Sequence, residues 1–142
     1  MANALFDAGR EGFLDGSIDW DTAVIKVALV RGYTFSAAHK FVSDITPASG
    51  VLAATSAALA SKTVTGGVAD AADITFTAVA SNASNHSLLI FQSSAVTGGA
   101  DVAATAQRVI GWIDTGTNLP IVPNGGDVTI AWDNGTNKIF KL

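Results

Sequence analysis

The chain has 142 residues, of which 49% are hydrophobic and 14% charged, and its net charge at neutral pH is −4. This length suffices for one domain with its own core, and the eight scattered Lys and Arg residues exclude a basic patch for nucleic acid. The absence of cysteine excludes disulfides, thiolate metal sites and a cysteine nucleophile.

The first segment predicts a short helical arm. Residues 2–14 contain four large apolar side chains, and Asn3 is available as the N-cap. Two glycines weaken this helix by about 1 kcal/mol each relative to alanine, so it needs support from its own sheet or from a neighbouring subunit. We predict an arm and lead-in at residues 1–20. The candidate subunit contacts within it are Leu5, Phe6, Phe13 and Leu14.

The same segment shows no targeting signal. It lacks the basic stretch followed by an apolar stretch that a secretory signal requires. The longest apolar run, residues 23–30, is too short to cross a bilayer. We therefore expect a protein made in the cytoplasm, without a membrane partner.

Seven segments further along the chain have the character of strands. Residues 22–34 are nearly continuous in apolar and β-branched side chains, which is typical of a strand buried on both faces. Residues 35–45 have helical spacing, but Pro47 follows closely and limits them to a single turn or an ordered loop. The remaining predicted strands are residues 57–64, 73–79, 87–92, 107–114, 127–132 and 138–142.

Turn motifs at short intervals define the fold class. Sequences such as VTGGVAD and VPNGGD separate the strands. The likeness between residues 64–70 and 96–101 reflects shared turn chemistry. The pattern predicts an all-β chain: a single antiparallel β-sandwich or barrel-like domain of about seven to eight short strands over residues 21–142.

The final two strands flank Asp-Asn-Gly-Thr, a strong hairpin signal. In such a hairpin, one apolar set on the first strand faces the core and pairs against a second set on the returning strand. The first set is Val128, Ile130 and Trp132, and the second is Phe140 and Leu142.

Catalytic chemistry has little support in this sequence. The two histidines are His39 and His86, and Asp44 lies close to His39 in the chain. No Gly-x-Ser-x-Gly elbow accompanies them, and no phosphate-binding glycine motif is present. The sequence therefore predicts no catalytic residue, no cofactor and no enzymatic activity.

Three carboxylates close together, Asp15, Asp19 and Asp21, suggest calcium ligands. The spacing and the bidentate glutamate of an EF-hand are missing. A turn at Asp15, and a side-chain contact of Asp19 or Asp21 at the start of the first long strand, explains them better. We predict no metal site.

Three long segments, residues 1–30, 64–79 and 122–142, resemble small virion structural proteins of tailed bacteriophages. They begin MANALFDAGREGFLDG, VTGGVADAADITF and VPNGGDVTIAWDN, and the similarity spans nearly the whole chain. The resemblance implies a repeated assembly part of the virion without an active site.

Within such a particle, the resemblance implies a head-decoration (cement) protein in the first place. Proteins of that kind are small, β-rich and often trimeric, and they clamp adjoining major capsid subunits. The implied partners are the major capsid protein or other virion proteins, together with further copies of the chain, a trimer being favoured.

The alternatives are a structural role at the neck, tail or fibre base, and a carbohydrate-binding module that uses exposed aromatics such as Tyr33 or Trp20. An unrelated enzyme of small molecules is a further alternative, which requires the two histidines and aspartates to cluster in a pocket.

Overall fold

The computed structural model describes residues 3–142, so the first two residues of the predicted arm lie outside it. Its elements in chain order are β1 (Ala4–Leu5), α1 (Asp7–Asp15), β2 (Val24–Arg31), a 3₁₀ turn (Val42–Asp44), β3 (Val51–Thr55), a second 3₁₀ turn (Thr65–Gly67), β4 (Val68–Ala69), β5 (Ile74–Phe76), β6 (His86–Ser94), β7 (Arg108–Ile113), β8 (Val128–Ile130) and β9 (Phe140–Lys141). All strand pairs are antiparallel. The prediction of a β-rich antiparallel domain with a short N-terminal helix is confirmed.

Five strands form the central sheet, in the order β1-β7-β6-β2-β3. Every residue of β6 is buried. Along β2, alternate side chains enter two separate apolar clusters, so that Val27 and Leu29 face one side while Ala28 and Val30 face the other. The predicted burial of this strand on both faces is confirmed.

Different structures cover the two faces of this sheet. On one side, here called the ladder face, lie two two-stranded ladders, β4–β9 and β5–β8. They contribute Ala69, Ile74, Phe76 and Ile130 to the core. The opposite side, here called the loop face, is covered by Phe6 and by the segment after β2, which supplies Tyr33, Phe35, Val42 and Ile45. The single turn predicted within residues 35–45 is the 3₁₀ turn at Val42–Asp44.

The N-terminal segment is part of the domain, because β1 pairs with β7. On α1, a β-carbon at Gly9 would lie 2.6 Å from the Ile110 carbonyl oxygen, so only glycine permits this close approach. The predicted N-cap is wrong, since Phe6 holds that position. The Asn3 side chain instead accepts the Thr115 N–H at 3.0 Å and donates to the Thr115 carbonyl at 2.9 Å.

The predicted strand at residues 57–64 is wrong, and the strand lies earlier, at β3. After Thr55, the Ser56 hydroxyl accepts the Val27 N–H at 3.0 Å, and the Leu59 N–H donates to the Ile25 carbonyl at 2.8 Å. These bonds hold residues 56–59 against β2 in an irregular conformation. The residues of β3 are at best half-buried, as expected for an edge strand, so its apolar signal in the sequence is weak.

The predicted C-terminal hairpin is also wrong. β8 pairs with β5, and β9 pairs with β4. The Trp132 N–H donates to the Asp73 carboxylate at 2.9 Å, and its indole N–H donates to the Ala72 carbonyl at 3.1 Å, which holds the end of β8 against β5. Trp132 is buried as predicted, whereas Leu142, predicted to face the core, is 58% exposed.

The repeated turn motif behaves as turn chemistry in both places. Gly66 and Gly67 in the first copy and Gly98 in the second adopt positive φ. Among the described residues, no helix is long and apolar enough to span a bilayer.

Candidate interaction surface

The two histidines occupy structural positions. His39 Nδ1 lies 2.7 Å from the Tyr33 hydroxyl, in a half-exposed aromatic cluster. His86 is fully buried, and its Nδ1 lies 2.8 Å from the Ser84 carbonyl oxygen. Within residues 3–142, neither ring is hydrogen-bonded to a serine hydroxyl or to a carboxylate. Asp44 uses its carboxylate to accept the backbone N–H groups of its own turn.

The hydrogen bonds that Asp44 accepts from the backbone favour its ionised form. Its Oδ2 accepts the N–H of Lys40 at 2.8 Å and that of Phe41 at 3.0 Å. The bond from Phe41, followed by that from Lys40, lowers the pKa of the Asp44 carboxyl, and the neighbouring His39 adds to the effect. A carboxylate committed to two backbone donors stabilises the loop face and is not available as the third member of a triad.

The three neighbouring aspartates serve as turn residues. Asp15 accepts the Ser17 N–H at 2.8 Å beside Gly16, which ends α1 in the left-handed conformation. A hydrogen bond between Asp19 and Asp21 lowers the pKa of Asp19 and raises that of Asp21. No group of three or more His, Cys, Asp or Glu side chains in the described chain is arranged to hold a metal ion.

The aromatic side chains considered for carbohydrate binding are buried in the domain or packed against its other aromatic rings. Trp20 is 3% exposed, and its indole N–H donates to the Asp70 carbonyl at 3.1 Å. Tyr33 packs edge-on against Trp112, with ring centroids 4.9 Å apart, and burial raises the pKa of its hydroxyl. Neither ring offers the open flat face that stacking on a sugar requires.

The four predicted contact residues separate into different environments. Phe6 is fully buried in the loop-face core, 5.0 Å from the Phe35 ring. Leu5 is half-buried in β1, and Phe13 is half-buried with its ring 5.7 Å from that of Phe140. Leu14 is 89% exposed. Leu14 is thus a surface apolar group, whereas Phe6 belongs to the chain's own core, and contact of Leu14 with a neighbouring subunit stays a prediction.

A shallow apolar groove is lined in part by Phe13, the residue before Leu14 in the sequence. It encloses about 250 Å³ between the end of α1 and the β4–β9 ladder. We call it the terminal groove. Its apolar lining comes from four separate parts of the chain: Phe13, Ile18, Trp20, Val64, Val68, Ala69, Phe140 and Leu142.

The rim of the terminal groove is exposed. Val64 is 52% exposed and Leu142 is 58% exposed, and both line the groove directly. The sequence does not single out Val64 and predicts Leu142 in the core, because their place in the same groove as Phe13 depends on the pairing of β9 with β4. Exposed apolar side chains around a concave apolar surface are typical of a protein–protein contact.

No protein-family model matches this chain, and no curated protein or solved structure is significantly similar to it.

Proposed function

We infer that this chain is a non-enzymatic structural protein of a tailed-bacteriophage virion, made in the host cytoplasm, that acts as a head-decoration (cement) protein on the major capsid subunits. Two kinds of support favour this function. The first is the resemblance of three long segments to small phage virion proteins. The second is that the polar groups considered for catalysis or metal binding contact the domain's own atoms. His39 contacts the Tyr33 hydroxyl, and Asp19 is hydrogen-bonded to Asp21. His86 Nδ1 lies 2.8 Å from the Ser84 carbonyl oxygen, while its Nε2 is buried without a hydrogen-bond partner among the described residues.

The terminal groove is the observation that carries the proposal. The core sheet is covered on both faces by the chain itself, so the domain needs no partner to complete it. Val64 and Leu142 nevertheless remain exposed in the lining of the groove. Leu14, which follows the lining residue Phe13 in the sequence, is also exposed. A decoration protein needs such a combination: a self-sufficient fold and an apolar contact surface.

The resemblance also favours a symmetric homo-oligomer, with a trimer as the first choice. Each subunit of a closed ring presents two complementary patches, and the apolar groove and the exposed Leu14 are our candidates for the two halves of such a contact. In this arrangement, the terminal groove of one subunit receives Leu14 of the next.

We class the domain as an incomplete antiparallel β-sandwich. The β4–β9 and β5–β8 ladders lie over one face of the central sheet and act as a second layer divided into two parts. The second sheet of such a sandwich is discontinuous, and this two-layer classification is part of the proposal.

Copy number tests the proposal most directly. Particles purified from the virus that encodes the chain should contain hundreds of copies by quantitative mass spectrometry, as expected for a head-decoration protein. A dozen copies or fewer would favour the neck, tail or fibre base. Absence of the chain from purified particles would overturn a virion role altogether.

A surface variant tests the contact itself. The double substitution Leu14→Asp and Leu142→Asp places one charge in the lining of the terminal groove, at Leu142, and one on Leu14, the side chain that we propose enters the groove of the next subunit. Both side chains are exposed, so the fold should be retained. We expect loss of self-association and of binding to undecorated particles. The matched control is Val96→Asp, because Val96 is 68% exposed but lies outside the groove. Equal binding by both variants would contradict the assignment of this surface.

A further inference from the structure

A second concave surface lies between β8 and the loop after β7. It encloses about 740 Å³, within the range of roughly 300–1,000 Å³ that is usual for ligand clefts. We call it the β8 cleft. Residues 115–124 line one wall and residues 127–133 line the other. The central sheet contributes Leu88 and Ile113 to the lining.

The edge of β8 that borders this cleft is open. β8 pairs with β5 and with no other strand in residues 3–142. The Val79 N–H donates to the Gly126 carbonyl at 3.0 Å, and the Trp132 N–H donates to Asp73 at 2.9 Å. Even-numbered residues of this segment therefore direct their backbone groups toward the β5 side.

Backbone groups alternate between the two edges of a strand, so the odd-numbered residues point the other way. Thr129 and Ala131 are these residues, and both line the β8 cleft. No backbone partner of either residue lies on that edge within the described chain. An unpaired strand edge beside a cleft is a ready template for another extended chain.

We propose that the β8 cleft binds an extended polypeptide segment of a partner protein, which adds a strand to β8 through hydrogen bonds to the backbone of Thr129 and Ala131. Alternate side chains of the segment contact the apolar part of the lining, where the half-buried Ile113, Ile121 and Val128 lie. The remaining side chains point to the polar rim. This surface is separate from the terminal groove, so the proposal does not depend on the virion role.

The charge of the rim defines the partner further. Asp127 and Asp133 both line the cleft, and both are exposed. Lys138, the one basic residue in the lining, lies 3.5 Å from the Asp70 carboxylate, outside the lining. The cleft is therefore acidic, which favours a segment carrying Lys or Arg beside its apolar residues.

A polypeptide fits this cleft better than a saccharide. The aromatic residue of the lining is Trp132, which is 7% exposed and donates its indole N–H to the Ala72 carbonyl. Sugar binding usually requires an open aromatic face, whereas strand addition requires an open backbone edge. The cleft provides the backbone edge.

Selection and amide exchange test the proposal. A displayed library of short random peptides is selected against the full chain, and the bound peptides are synthesised. We expect apolar segments with basic flanks that slow amide hydrogen exchange at Thr129 and Ala131 at least about tenfold. N-methylation of alternate peptide residues should abolish binding at the paired positions and leave it intact at the intervening positions.

Two protein variants complete the test. Asp133→Asn should weaken a selected basic peptide several-fold at low salt, while Glu11→Gln, which removes an exposed carboxylate on α1, should leave binding unchanged. Selection without any binder, protection confined to other surfaces, or an N-methyl scan without alternation would each overturn the proposal. Binding of oligosaccharides at this cleft, with no selected peptide competing, would overturn it as well.

Discussion

The central sheet and the ladders that cover it obtain their stability in different ways. In β6, nine consecutive residues are buried, and the strand has a partner on each side. Each ladder has only two or three residues per strand, and one edge of each strand is unpaired. Large apolar side chains stabilise the sheet from both faces, whereas the ladders depend on a few anchors such as Trp132. Both proposed contact surfaces lie along the ladders, where fewer backbone edges and side chains take part in stabilising the domain.

The largest effect is expected in the sheet. Leu89 in β6 is fully buried in the loop-face core, so Leu89→Ala should cost about 2–5 kcal/mol of the free energy of unfolding, because it leaves a cavity among side chains that cannot collapse. Urea denaturation measures the loss. The matched control is Leu14→Ala, at an 89% exposed leucine, which should stay within about 0.5 kcal/mol of the parent. Equal losses would mean that Leu14 is as well packed as the core.

A smaller effect is expected where α1 meets the sheet. Gly9→Ala places a methyl group against the Ile110 backbone and should destabilise the domain by about 1–3 kcal/mol. A free helical arm would respond in the opposite direction, because alanine favours helix by about 1 kcal/mol over glycine. The sign of the change in thermal unfolding therefore distinguishes a docked helix from a free arm. Glu11→Ala, on the exposed side of α1, serves as the control and should be close to neutral.

The ladders should show a local response. Phe140 in β9 packs edge-on against Trp20, with centroids 5.2 Å apart, and against Phe13 at 5.7 Å. Because Phe140 is only half-buried, Phe140→Ala should cost about 1–2 kcal/mol. Amide exchange should accelerate in β4 while the amides of β6 keep their protection. A parallel loss of protection in both would show that ladder and sheet unfold as one unit.

The smallest effect concerns pH. Lys26 on β2 donates to both carboxylate oxygens of Asp101, at 2.8 and 2.9 Å, and this contact lowers the pKa of Asp101 below its usual 3.8. A carboxyl whose pKa is lower in the folded state adds stability above its unfolded pKa and loses it as the pH falls through the folded value. Because Asp101 is half-exposed, the contribution should be no more than about 1 kcal/mol.

Asp101→Asn tests this pair. The variant should be slightly less stable than the parent near neutral pH. The difference should shrink as the pH falls below the usual pKa of 3.8 and vanish below the lowered pKa of the folded state. Urea midpoints measured across the acid range give the comparison. A difference that persists at the lowest pH would point to lost packing and not to the charge.

The sheet and the ladders also differ in how far sequence alone predicts them. β2, β6 and β7 each contain a run of adjacent apolar residues, such as residues 88–91 in β6, and a run of that kind favours a buried strand, so their positions follow from local pattern. β4 and β9 have two residues each, which is too short for an alternation of apolar and polar residues to be recognised in the sequence. Their pairing depends on the tertiary fold, and a local hairpin signal at Asn134-Gly135 therefore gave the wrong partner.

The same limit applies to the interaction surfaces. Leu14 is recognisable in the sequence as an apolar residue near an exposed turn. Val64 and Leu142 become part of a contact surface only when the β4–β9 ladder brings them into the same groove as Phe13. Phe6 illustrates the opposite error, since its apolar character is equally compatible with a contact surface and with a core. Only the pairing of β1 with β7 decides between them.

The pairing of β1 with β7 has a consequence for biogenesis. Ala4 lies opposite Trp112, so the first strand of the chain can dock only after most of the chain has left the ribosome. During this interval the Phe6 side chain is not yet buried. The sheet forms through contacts between residues far apart in sequence. Domains with this topology fold over milliseconds to seconds, not microseconds. Until β7 has been synthesised, Leu5 and Phe6 therefore lack their partners in the central sheet.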